Sequence, residues 1–185
     1  MRQEPMSTPP SATPRLAPDH FALLGLPRRF AIDPVALEQA WRALQGKVHP
    51  DRYATAPAAE KRIAMQWASL VNEAHRILRE PLRRARYLCE LAGHGVQAES
   101  NTAMAPQFLM QQMTWREALE SARRDHDEAA LDALERDLAE VRQALAARVE
   151  VALDGVEPDY ADAVARVREW MFIERLFEEL DAARP

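Results

Sequence analysis

The chain has 185 residues and a formal net charge of −5, with 48% hydrophobic and 29% charged residues and a single cysteine, Cys89. Such a composition can bury a core, unlike that of a disordered chain; no apolar run approaches the roughly 18 residues of a membrane span, and one cysteine can form neither an internal disulfide nor a multi-cysteine metal site. Only 5 glycines, abundant alanine and leucine, and sparse valine, isoleucine and threonine predict an all-α protein, and the cysteine usage fits a reducing cytoplasm.

In chain order, Pro5, Pro9, Pro10, Pro14 and Pro18 crowd a start without apolar periodicity, so residues 1–17 read as a disordered extension. This start has neither the apolar core of a secretory signal nor the character of a transit peptide. Asp19 then caps a short helix that Gly25 and Pro27 stop. Asp33-Pro34 opens a second helix, with Leu37, Ala40, Trp41, Leu44 and Val48 at helical spacing. It ends at His49-Pro50-Asp51, because proline drives the residue before it out of the α region. A third helix runs from Pro57-Ala58 to Glu80, with Ile63, Ala64, Trp67, Leu70, Val71, Ala74, Ile77 and Leu78 on one side. Pro81 interrupts it, and Leu82, Ala85, Leu88 and Leu91 mark a short fourth helix. The pattern is an antiparallel hairpin with the tripeptide at its connecting loop.

Charge splits the chain. Residues 18–92 carry 12 Lys+Arg against 8 Asp+Glu, whereas residues 93–185 carry 10 against 20. The asymmetry reads as two domains, 18–92 and 106–182, joined by a linker at 93–105. The mild positive balance of the first is too weak to indicate nucleic acid.

By itself an HPD tripeptide is an ordinary turn, and basic neighbours such as Arg42, Lys47 and Arg52 a solvated face. Its position between two amphipathic helices, with Val71-Asn72-Glu73-Ala74-His75-Arg76-Ile77-Leu78 downstream, resembles the J domain of DnaJ-type co-chaperones. The resemblance implies a surface that docks on a DnaK-type chaperone and stimulates its ATP hydrolysis. Asp51 would engage an arginine of the chaperone, His49 would hold the loop or touch the partner beside Pro50, and Arg42 and Lys47 would meet acidic residues. A catalytic reading of His49 and Asp51 finds no nucleophile nearby, no glycine-rich phosphate loop and no metal-ligand cluster, so no enzyme and no cofactor are expected. His20, His75, His94 and His126 stand singly and read as surface or hydrogen-bonded helix residues, and Cys89 as an inert packing residue.

Beyond the linker, helices are expected from Pro106 to about Arg124, from Asp127 to Leu153 with a Leu131, Leu134, Leu138, Val141, Leu145 seam, and from Pro158 to about Asp181, forming an antiparallel three-helix bundle. On the first of these, Phe108, Gln112, Trp115, Leu119 and Ala122 make a sufficient core stripe. Leu109, Met110, Met113 and Glu117 lie about 100–180° away. On the third, Ala163, Val167, Trp170, Ile173, Phe177 and Leu180 form the stripe, and Phe172 points roughly opposite. These off-stripe residues are either a binding patch, for which methionine is well suited, or a face covered by the first domain or the linker.

A J domain followed by Pro81-Leu82-Arg83-Arg84-Ala85-Arg86-Tyr87-Leu88, Phe108-Leu109-Met110 and an acidic bundle is similar to the HscB family, the co-chaperones of iron–sulfur cluster biogenesis, over roughly residues 18–182. The resemblance implies an L-shaped, two-domain, monomeric cytoplasmic protein whose bundle binds an IscU-type scaffold and whose J domain delivers it to a DnaK-type ATPase, HscA, with no nucleic-acid or membrane partner. Leu109, Met110, Met113, Glu117 and Phe172 fall on the family's scaffold-contacting positions. Thr114 and Ser121 depart from the family pattern, standing where acidic residues are usual. The residues also leave open a general J-domain adaptor for another client.

Overall fold

The computed structural model describes residues 19–96 and 104–184. The extension at 1–17 and positions 97–103 of the expected linker lie outside the described residues. Seven α-helices follow in order: α1 (His20–Leu24), α2 (Pro34–Val48), α3 (Ala58–Arg79), α4 (Pro81–Leu91), α5 (Pro106–Asp125), α6 (Glu128–Asp154) and α7 (Tyr160–Asp181). No strand occurs among the described residues, so the fold is all-α as the composition predicts.

Local chemistry sets the boundaries. The Asp19 carboxylate accepts the Ala22 N–H at 3.0 Å to start α1, and Gly25 ends it at φ 66°, a left-handed conformation that glycine adopts without a Cβ penalty. Asp33 caps α2 through the Val35 N–H, with Pro34 in the first turn. Proline breaks the chain at His49–Pro50 and again at Glu80–Pro81, where Glu80 is extended at ψ 118° and separates α3 from α4. Between α5 and α6, His126 takes φ 52° and Asp127 caps the next helix through the Ala130 N–H at 3.0 Å. Asp159 caps α7 in the same way.

Helices α2 and α3 form the expected antiparallel hairpin, with α1 laid against α3. Among the described residues, helices α6 and α7 make the most extensive pairing, α5 packs on α6, and α4 packs on both α7 and α6. The expected three-helix bundle is thus an α6–α7 pair flanked by α5 and, from the other half of the sequence, by α4. Leu78, Ala85, Cys89, Leu138, Val149, Ile173 and Leu180 belong to one continuous buried cluster that crosses from residues 19–96 into residues 104–184. Val96, inside the expected linker, is also buried.

Two apolar positions depart from the periodic reading of α3. Ile63 is 52% exposed and Trp67 43% exposed, although they share a side with buried Val71 and Ala74. Periodicity fixes the face but not the length of what covers it, and five-residue α1 is too short to reach that end of α3. In the second half, Leu176 and Glu169 are buried outside the expected stripe, and Phe177 is only half-buried, with the Arg142 guanidinium 4.5 Å above its ring.

Candidate functional sites

The HPD loop is a capped helix end followed by one tight turn. His49 leaves the helix at ψ 129°, and Pro50–Tyr53 forms a 3₁₀ turn. The ends of α helices leave carbonyls without intrahelical partners; here the turn supplies them. The Arg52 guanidinium donates to the Gly46 carbonyl at 2.9 Å and the Tyr53 hydroxyl to the Lys47 carbonyl at 3.4 Å. The His49 Nδ1 accepts the Asp51 N–H at 3.3 Å and lies 3.5 Å from Asp51 Oδ2. Asp51 is thereby held on a fixed backbone while its side chain is 89% exposed, and the His49 side chain is about half exposed. The Arg52 cation also complements the negative end of the α2 dipole.

The hairpin that carries this loop is clamped from within. Trp41 donates its indole N–H to Asn72 Oδ1 at 3.0 Å and stacks on the His75 ring at 4.5 Å, and His75 Nε2 lies 2.7 Å from Glu38 Oε1. His75 is therefore a buried, hydrogen-bonded helix residue. Glu38 also approaches Arg42, whose Nε is 3.7 Å from Oε2 and whose side chain is three-quarters exposed. Lys47 and Arg52 sit at the loop. Arg42 lies about 10 Å back along α2 from His49 at the helical rise, and roughly 140° around the axis from Lys47. The basic residues thus form a spread surface beside the loop, with only Lys47 and Arg52 adjoining it.

The chemistry available at the loop is recognition. A solvated carboxylate and a half-exposed imidazole can accept or donate charge-assisted hydrogen bonds to a partner. The only thiol is elsewhere and inert: Cys89 is fully buried, and desolvation pushes it up to about 11. Among the described residues no group of three or more histidine, cysteine or acidic side chains could hold a metal ion.

The second candidate site lies on α5. Leu109, Met110 and Met113 are 40%, 64% and 63% exposed, Glu117 is exposed beside them, and all four fall within an arc of about 100°. Trp115, Leu119 and Ala122 occupy the buried face, with Phe108 and Gln112 half-buried at its margin. Phe172 differs from the wheel-based expectation of a side chain pointing away from the bundle. It is half-buried between α7 and α5, with its ring edge-on to Phe108 at 6.0 Å and the Arg116 guanidinium 5.5 Å over its face. Phe108 packs edge-on against Trp115 in turn, also at 6.0 Å, so aromatic contacts anchor the margin of the patch to the core. Phe108 and Arg116 have no sequence signature for this role, because it depends on how close α7 comes to α5.

Among the described residues, those of the first half leave this patch open. Helix α4 meets α7 along a groove lined by Leu82, Arg83 and Arg86 on one wall and Met171, Glu174 and Arg175 on the other, a different side of α7 from Phe172. The two departures from an acidic α5 are turned inward on their own helix: the Thr114 hydroxyl donates to the Met110 carbonyl at 3.3 Å, and the Ser121 hydroxyl to Asp125 Oδ2 at 3.3 Å. On the opposite flank of α5 a groove of about 530 Å³ holds buried Glu169, whose carboxyl is pushed upward by burial and opposed by the Arg166 guanidinium at 2.5 Å. No helix among the described residues is long and apolar enough to cross a membrane.

Comparison with known proteins agrees with both halves. A family model described as the HSCB C-terminal oligomerisation domain matches residues 104–181. A co-chaperone protein HscB homolog of Bordetella avium is 59% identical over 169 residues, covering 91% of this chain and 99% of its own. That of Azoarcus sp. is 51% identical over 168 residues, covering 91% and 94%. Among solved structures, the chaperone HscB from Vibrio cholerae superposes with a TM-score of 0.81 at 37% identity, covering 89% of this chain and 96% of its own. The human co-chaperone HscB superposes with a TM-score of 0.84 at 25% identity, covering 98% and 91%. The identity extends over nearly the full length of the bacterial relatives, and the chain belongs to the HscB family of co-chaperones.

Proposed function

We propose that this co-chaperone binds an IscU-type iron–sulfur scaffold on the α5 patch and delivers it to a DnaK-type chaperone, HscA, whose ATP hydrolysis it stimulates through the HPD loop. The observation that carries the reading is the simultaneous presence of two exposed surfaces of opposite chemistry on halves that share one buried core. One is an ordered loop that offers Asp51 and His49 beside Lys47, with Arg42 further along α2. The other is a methionine-rich apolar patch of Leu109, Met110 and Met113, with Glu117 beside it and Phe172 at its margin.

In this reading Asp51 pairs with an arginine of the chaperone, Pro50 and His49 keep the turn in shape, and Arg42 and Lys47 face acidic residues. The patch contributes apolar area, with methionine adapting to the scaffold surface. Residues 18–92 act as the chaperone-facing domain and 106–182 as the scaffold-facing one. The protein catalyses no reaction itself, acts as a monomer, holds no cofactor and works in the cytoplasm, where its single thiol stays reduced.

Calorimetric titration of the chain with purified IscU-type scaffold tests the client assignment. Saturable binding that weakens in a Leu109→Ala, Phe172→Ala double variant is expected. Undiminished affinity in that variant refutes the patch, and no binding by the native chain refutes the client and favours a general adaptor for another protein.

A further inference from the structure

We infer that Asp154 is a positioning residue that fixes the direction of the HPD loop relative to the α5 patch by clasping the α1–α2 connection to the end of α6. The inference rests on the two-surface reading above.

Asp154 is the last residue of α6 and its side chain is only 8% accessible. A carboxylate at that position faces the negative end of the helix dipole, so local helix chemistry disfavours it. Its partners are more than a hundred residues away. Oδ1 accepts the Phe30 N–H at 2.6 Å and Oδ2 accepts the Ala31 N–H at 2.7 Å, while Arg29 Nε stands 3.5 Å from Oδ2. Beneath the same connection, buried Phe30 lies under the guanidinium of buried Arg84, at 5.1 Å from its ring centre. Among the described residues, these two backbone bonds are the only hydrogen bonds joining residues 19–96 to residues 104–184.

The remaining contacts between the halves differ in kind. Helix α4 is joined to α6 and α7 mainly by packing, and His94 stacks on Tyr160 at 5.0 Å. Apolar burial is non-directional. It holds α4 in place, and among the described residues the α2–α3 hairpin is tied to α4 chiefly through the extended junction at Glu80–Pro81 and its contacts with α1 and α4. A carboxylate that accepts from two consecutive backbone N–H groups sets both the position and the orientation of that backbone. Phe30 and Ala31 lie three and two residues before the Asp33 cap of α2, the helix that leads to His49. The hairpin therefore has a second, directional attachment, and a client on α5 is presented to a chaperone on the loop at a fixed separation. Fixed geometry raises the effective concentration of one bound partner for the other.

The test uses Asp154→Ala and the isosteric Asp154→Asn in the full chain, the second in case the first does not fold. Residual dipolar couplings of the native chain are expected to fit one alignment tensor for both halves. In the variants the α2–α3 hairpin should require its own, smaller tensor. In ATPase assays with the chaperone, the chain concentration giving half-maximal stimulation in the presence of scaffold should rise about tenfold, with stimulation in its absence unchanged. A single tensor in a folded variant, two tensors in the native chain, or an equal fall in both stimulations overturns the clasp. If the native chain gains nothing from scaffold, the two-surface reading fails, and the couplings still decide whether Asp154 orients the hairpin.

Discussion

The HPD loop and the α5 patch are built on different physics. At the loop, every element is directional: Arg52 and Tyr53 cap the last carbonyls of α2, and His49 holds the Asp51 N–H, so one carboxylate is presented at a set angle. At the patch, no side-chain hydrogen bond fixes Leu109, Met110 or Met113, which offer exposed apolar area on a helix anchored through Trp115 and Leu119. A site built on direction fails when one atom changes. A site built on area fails by degrees.

Crossed substitutions sharpen that contrast, and the largest effect belongs to the loop. Asp51→Asn or His49→Gln should abolish stimulation of the chaperone ATPase in a coupled assay while leaving the calorimetric affinity for scaffold unchanged. Leu109→Ala together with Phe172→Ala should weaken scaffold binding by about 2–4 kcal/mol, as for central interface anchors, and leave scaffold-free stimulation intact. A variant that disturbs both activities would break the separation.

The caps predict a smaller, graded effect. Arg52→Ala leaves the Gly46 carbonyl to water and should cost about 1 kcal/mol in denaturant-unfolding stability, with stimulation reduced less than by Asp51→Asn. At the α5–α6 turn, His126 holds φ 52° without being glycine. His126→Gly should raise the thermal midpoint through a gain of about 0.5–1 kcal/mol, with neither activity altered.

The smallest effect concerns pH. Burial lowers the pKa of His20, whose ring stacks on Tyr87 at 4.5 Å, against opposing pulls from Glu73 and Asp19. The unfolded chain therefore takes up a proton at a higher pH than the fold does. His20 contributes stability that is present above its unfolded pKa of about 6.5 and lost as pH falls below it. Thermal melts between pH 7.5 and 5.5 should show this loss, and His20→Gln should flatten it.

Much of the molecule was legible because its punctuation is local. Asp33-Pro34, His49-Pro50, Pro81, Pro106 and Asp127 each act on the next turn of chain, and the helix boundaries follow them. The off-stripe positions of Leu109, Met110 and Met113 were likewise a matter of angle along one helix. What escaped depends on distance through space. Ile63 and Trp67 carry the right period but outrun α1, Phe172 meets Phe108 only because α7 approaches α5, and Asp154 finds its donors 123 and 124 residues away. Arg52 and Tyr53 were within reach of α2, yet a 3₁₀ turn after a proline has no apolar period to announce it.

The most direct test of the two-surface account is the steady-state ATPase rate of the DnaK-type chaperone titrated with this protein, with and without the IscU-type scaffold. Stimulation by the native chain is expected, with a further increase when scaffold is present and loss of both with Asp51→Asn. Stimulation that survives Asp51→Asn, or a rate indifferent to the native chain, would contradict the two-surface account.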